Sequence, residues 1–253
     1  MDVAIEQVKS RMEELGLSFM AAGLESFLND QSRRENTLVE TLADLFDLEY
    51  HPRKERMART RLKVSGIPQA KSLEDFDLSW IKGGLTQKQF NELSALSFIN
   101  RKENIVLLGP SGLGKTHLLQ AWGVKACMNG YTSYFISCMD LLERLQKARE
   151  QGRLRRRLQW FCKPHVLLID EVGYENLSPE QATLFFQLVN ARYEHGSIIM
   201  TSNKPFGKWG EIMSDDAVAT ATLDRLLHHA HVISLQGDSY RMKDRLKIGV
   251  VDF

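Results

Sequence analysis

The side chains whose spacing could do chemistry lie in four places along the 253 residues. The first is Gly109-Pro110-Ser111-Gly112-Leu113-Gly114-Lys115-Thr116. Glycines at these positions let several backbone N–H groups converge on one anion, and a lysine and a hydroxyl follow at once. Lys115 suits the β- and γ-phosphates of a nucleotide, and the Thr116 hydroxyl suits Mg²⁺. The second is Asp170-Glu171, two carboxylates ending an apolar run. Asp170 is expected to hold Mg²⁺ with Thr116, and Glu171 to orient and polarise an attacking water. Asn203, one strand later, could hold that water against the γ-phosphate. Arg225 lies further along, on a helix expected to face away from its own site. An arginine so placed suits the γ-phosphate of a neighbouring subunit. The chemistry read from these residues is hydrolysis of ATP with Mg²⁺.

The elements needed to position them can be read from the pattern around them. Ile105 to Leu108 is a short apolar strand, and a helical pattern starts directly after Gly114, so the loop presents a helix N-terminus to the anion. Further strands are expected at Ser133–Ser137, His165–Glu171, Ser197–Asn203 and His231–Leu235. Helices should fill Gln87–Asn100, Met139–Lys147, Ser178 to about Glu194, and Asp216–Leu227. Strands alternating with helices, and a nearly continuous apolar run before Asp170, predict an α/β fold with a buried parallel sheet. Such sheets place their chemistry at the carboxyl ends of the strands. Residues 1–64 have apolar positions at helical spacing and read as a small all-α domain, with Ser18 and a Thr37–Glu40 box as expected caps. Residues 65–85 read as a linker, with Leu73 to Asp77 as a strap against the next domain near the nucleotide base. Residues 86–253 form the nucleotide-binding domain. Only residues 236–253 follow the last strand, too few for a three-helix lid.

Charge is divided along the chain. Residues 1–50 carry eleven acidic and four basic side chains, a net of −7, and residues 51–71 carry one acidic and seven basic, a net of +6. Residues 140–163 carry three acidic and eight basic, a net of +5. Arg53, Lys54, Arg56 and Arg59, and Arg153, Arg155, Arg156 and Arg157, could contact nucleic-acid phosphates or form solvated helix faces. The three cysteines show no close pairing, which argues against a zinc site or disulfide framework and fits a reduced, cytoplasmic protein. No apolar stretch reaches the length of a membrane span. His228-His229-Ala230-His231 invites a metal reading, but no acidic or cysteine ligand lies near it in sequence, and a helix C-terminus favours histidine on its own.

Taken together, the loop, Leu167 to Tyr174, Leu184 to Val189, Thr201 to Phe206, Leu223 to His231 and Gly237 to Arg241 resemble AAA+ ATPases of the helicase-loader type. Within these, the chain is most similar to the IstB-like transposition helper ATPases of insertion sequences. The resemblance implies a three-layer αβα AAA+ core and an ATPase that forms homo-oligomers with ATP at subunit interfaces. It also implies binding and deformation of duplex DNA without strong sequence preference, and recruitment of a partner transposase. Gly109–Thr116 would be Walker A, Asp170-Glu171 Walker B, Asn203 the first sensor and Arg225 the finger acting in trans. Arg241 matches a late family arginine whose role is left open. A replicative helicase loader on the same core is the nearest alternative; a small-molecule P-loop kinase and a non-hydrolysing scaffold are further ones.

Overall fold

A computed structural model describes residues 2–31, 36–237 and 239–240. The late arginine, Arg241, lies outside the described residues. The chain forms two compact units, residues 1–60 and 61–253.

In the first unit, α1 (Asp2–Glu14) and α2 (Ser18–Gln31) are joined by a turn at Gly16, whose φ of 72° suits a residue without Cβ. The expected box forms at the start of α3 (Leu38–Val64): Thr37 N–H donates to Glu40 (2.8 Å) and Glu40 N–H to the Thr37 hydroxyl (3.3 Å). Ser18 is not the cap of α2, because it is already helical. The buried Glu49 carboxylate instead accepts from Phe19 N–H (2.9 Å) and Met20 N–H (3.1 Å), satisfying two free donors of the first turn. α3 starts in the first unit and ends in the second.

The second unit begins with an extended segment. Residues 65–85, expected as a linker, carry a single 3₁₀ turn (Leu78–Trp80) and strand β1 (Ile81–Gly83), and bury Leu73 and Leu85. The single helix expected over Gln87–Asn100 is two, α4 (Gln87–Ser94) and α5 (Ser97–Asn100), because Leu96 takes a left-handed φ of 61°. Apolar periodicity runs across this break because Leu93, Leu96, Phe98 and Ile99 are all buried.

The order then alternates. β2 (Asn104–Leu108) leads to α6 (Lys115–Met128), and β3 (Ser133–Ser137) to α7 (Cys138–Glu150) and α8 (Leu154–Cys162). β4 (Val166–Val172) is followed by α9 (Pro179–Arg192), and β5 (Ser197–Ser202) by α10 (Trp209–Met213) and α11 (Asp216–Leu227). β6 (Ala230–Ser234) ends the main sheet, and β7 (Gln236–Gly237) pairs antiparallel with β1. The five-stranded sheet is parallel, in the order β3-β4-β5-β2-β6. Side chains alternate along its buried strands. Leu167, Ile169, Ile198 and Met200 pack towards α7–α11, and Val166, Leu168 and Ile199 pack with α4–α6. Three layers result. Among the described residues, no helix is long and apolar enough to cross a membrane.

Candidate functional site

Parallel register brings the strand ends level. Leu108 pairs with Ser202 on one side and Ser234 on the other, so Gly109 and Asn203 leave the sheet at the same edge. Asp170 sits at that edge of β4, paired with Ser137. Here the glycine-rich loop turns into α6 with Gly109, Gly112 and Gly114 all at positive φ. A Cβ on Gly114 would come 2.6 Å from the Phe76 ring, so the loop and the segment before β1 fit only with glycine there. Phe76 also stacks on Phe90 and lies 5.6 Å from the His117 ring. The Leu73–Asp77 segment thus lies against the loop.

Below the loop, three side chains form a compact hydrogen-bond group. The Asp170 carboxylate is 6% exposed, and its Oδ1 accepts from the Thr116 hydroxyl (3.1 Å) and the Thr201 hydroxyl (2.6 Å). Among the described residues it has no ion pair. A buried, unpaired carboxylate beside a hydroxyl is a hard oxygen set of the kind Mg²⁺ takes, so the residues present fit that ion. Thr201 also accepts Glu171 N–H at 2.9 Å.

Glu171 has φ of 61°, left-handed for a residue with a Cβ, at an irregularity in the β4–β5 pairing between Ile169 and Val172. In a regular strand, consecutive side chains point to opposite faces. The reversal at Glu171 leaves Asp170 and Val172 buried and brings the exposed glutamate onto the cavity wall. Sequence reading put both carboxylates at a strand end and could not supply this turn. Such strain costs about 1–3 kcal/mol and clusters at functional sites.

The cavity at this edge holds about 830 Å³ and is lined by Lys115, Thr116, Glu171, Thr201 and Asn203 among others. That volume is in the range of small-molecule sites. Lys115 Nζ donates to the carbonyls of Gly109 (2.6 Å) and Pro110 (2.7 Å). Asn203 Oδ1 is buried and, among the described residues, accepts no hydrogen bond. Aromatic side chains contribute to the remaining wall: Phe76, Trp80 and Tyr240 line it, with Trp80 and Tyr240 edge to face at 5.9 Å. Tyr240 N–H donates to Gly112 O at 2.9 Å. Thr201 and Trp80 were not singled out from sequence, whereas Phe76 belongs to the expected Leu73–Asp77 strap and Tyr240 to the Gly237–Arg241 segment. No sequence signal marks Thr201, because Ser197 and Ser202 place hydroxyls in the same strand.

Among solved structures, the fold is similar to DnaA from Aquifex aeolicus bound to AMPPCP, with TM-score 0.55 and 22% identity over 74% of this chain and 58% of that one. It is also similar to DnaI, with TM-score 0.54 and 21% identity over 66% of this chain and 91% of that one. These likenesses give the fold, that of AAA+ P-loop proteins. The family described as "IstB-like ATP binding protein" matches residues 10–248. The chain belongs to this IstB-like family. A relative in insertion sequence IS5376 of Geobacillus stearothermophilus is 41% identical to this IstB-like protein, covering 95% of each chain. One in insertion sequence IS21 of Pseudomonas aeruginosa is 40% identical, over 98% of this chain and 93% of that protein. Both are named for ATP binding.

Within the second unit of this IstB-like chain, the other residues singled out do not line the cavity. Arg225 is half-buried on α11, hydrogen-bonded to Asn190 and 5.1 Å above the Tyr193 ring, in a separate depression. Arg153, Arg155 and Arg156 are exposed at the start of α8, while Arg157 lies 5.8 Å over Trp160. Arg144 and Arg149, on the preceding helix, bond to Tyr134 and Glu180. In the first unit, Arg53, Lys54, Arg56 and Arg59 are exposed along α3, with Arg53 near Glu49 and Arg59 near Glu55.

Proposed function

We propose that the protein is a Mg²⁺-dependent ATPase that assembles as a homo-oligomer on duplex DNA and recruits a transposase to it. The observation that carries the proposal is the Thr116–Asp170–Thr201 group under the loop, with Glu171 turned onto the same cavity by its positive φ. In this reading Gly109, Pro110, Ser111, Gly112, Leu113 and Gly114 cradle the phosphates with their backbone N–H groups. Lys115 exchanges its loop carbonyls for phosphate oxygens. Thr116 and Asp170 would hold Mg²⁺, which when bound neutralises charge on the β- and γ-phosphates. Glu171 accepts a hydrogen bond from the attacking water and polarises it. Asn203 Oδ1, a buried acceptor with no donor among the described residues, accepts a hydrogen bond from that water's second O–H and fixes its direction.

Arg225 lines a different depression of its own chain, which supports assigning it to the γ-phosphate of a neighbouring subunit. Arg153, Arg155, Arg156 and Arg157, with Arg53, Lys54, Arg56 and Arg59, supply non-specific phosphate contacts. The insertion-sequence context of the relatives supports a transposase as partner and a cytoplasmic, DNA-associated setting.

The test compares wild type with Glu171→Gln and Lys115→Ala for ATP binding, phosphate release and retention on duplex DNA. Glu171→Gln should bind ATP, release phosphate at least about a hundredfold more slowly, and stay on DNA longer. Lys115→Ala should lose ATP and DNA retention together. Undiminished phosphate release by Glu171→Gln removes Glu171 from the mechanism, and nucleotide-independent, salt-resistant DNA binding by Lys115→Ala rejects ATP as the switch.

A further inference from the structure

Asp224 stands one helical turn before His228, but the carboxylate that the fold groups with His228 and His229 is Glu194. α9 ends at Arg192, Tyr193 follows as its C-cap, and Glu194 then takes a φ of 60°. The turn brings the Glu194 carboxylate back to the C-terminal end of α11, where His228 is the C-cap. One ligand atom from each of Glu194, His228 and His229 lies within 4.8 Å of the others, and all three side chains are exposed. We propose that these three residues bind a divalent transition-metal ion of the zinc, cobalt or nickel type, which clamps the ends of α9 and α11 together.

Two helix C-termini contribute favourably to cation binding here. Glu194 follows the C-terminus of a 14-residue helix and His228 ends one of 12 residues, so the negative ends of two dipoles meet at the cluster. The His228 and His229 rings are 4.2 Å apart at 71°. Two imidazolium ions at that separation would repel, whereas two neutral rings can share one metal. His228 is also held in a suitable way. Its Nδ1 is 3.0 Å from the Tyr193 hydroxyl, so Nδ1–H can donate to that oxygen and leave the Nε2 lone pair for a metal.

The donor set selects the ion. Two imidazoles and one carboxylate suit Zn²⁺, Co²⁺ or Ni²⁺, while Mg²⁺ and Ca²⁺ take oxygen ligands. Lys102, Arg192 and Arg225 line the depression that contains Glu194 and His229. A lone carboxylate facing those charges cannot hold a hard cation by attraction, so coordination by the imidazoles has to do it. This site does not depend on the ATPase reading.

The experiment is a Co²⁺ titration of the full chain, stripped with chelator and free of nucleotide, followed by visible d–d absorption. It should saturate at one ion per chain, be displaced by Zn²⁺ and be unaffected by Mg²⁺. His228→Ala, His229→Ala and Glu194→Gln should each weaken binding about tenfold or more. Zn²⁺ at about a hundredfold over its Kd should raise the melting temperature by roughly 5–10 °C in wild type and not in the variants. A spectrum unchanged by all three substitutions, or thiolate charge-transfer bands that put the ion on a cysteine, would overturn the proposal. So would equal competition by Mg²⁺.

Discussion

Thr201 serves two neighbours at once: its hydroxyl donates to Asp170 and accepts from Glu171 N–H. Valine has the same shape and neither function, so Thr201→Val leaves a buried carboxylate and an amide short of partners. Stability should fall by about 1–3 kcal/mol. ATP turnover should fall much more than ATP affinity, with Thr201→Ser restoring both, as thermal melts and single-turnover assays would reveal. A threonine in a strand is ordinary in composition, so this role was legible only once the β4–β5 register put it beside Asp170. The left-handed Glu171 was likewise hidden, because backbone strain leaves no mark on side-chain pattern. Glycine there removes the strain along with the carboxylate. Glu171→Gly should therefore raise the melting temperature by about 2–4 °C for each kcal/mol released while hydrolysis stops. A melting temperature below that of Glu171→Gln would mean that the positive φ carries no strain.

Elements with strong local signals were readable in advance. The glycine loop, the α6 start, the apolar β4 run and the Asp216–Leu227 helix each follow from short-range spacing. Those set by tertiary contact were not: the break at Leu96, the pairing of β1 with β7, and the return of Glu194 to α11. The basic helix is intermediate. Its charge was plain, but only the fold separates the exposed Arg153, Arg155 and Arg156 from Arg144 and Arg149, which are tied to Tyr134 and Glu180. Changing the three exposed arginines to alanine should weaken duplex binding uniformly across sequences. The slope of log affinity against log salt should flatten by up to about three phosphate equivalents, roughly 0.9 per phosphate. An unchanged slope would make α8 a solvated face. Nucleotide affinity should stay unaltered, since α8 does not line the cavity.

At the scale of the whole molecule, Arg225 and the nucleotide cavity lie in separate places on the second unit. If each site is completed by the next subunit, inactive variants can complement one another. Lys115→Ala and Arg225→Ala should each be nearly inactive alone, and equal mixtures should regain up to about a quarter of wild-type turnover, the share of interfaces with both parts intact under random pairing. Mixtures no better than either variant would place the arginine outside the reaction. The cavity also depends on chain that is far apart in sequence: β1 pairs with β7, and Tyr240 reaches Gly112 from beyond it. Closing so long a loop is entropically expensive and comes late in folding. On the ribosome, Lys115, Asp170, Glu171 and Asn203 all emerge before the wall formed by β7 and Tyr240. A nascent chain stalled before residue 236 would carry these four side chains yet lack part of the cavity wall. Synthesis itself would then delay nucleotide capture until that wall is made, and under the proposed function this would keep unfinished chains out of the assembly.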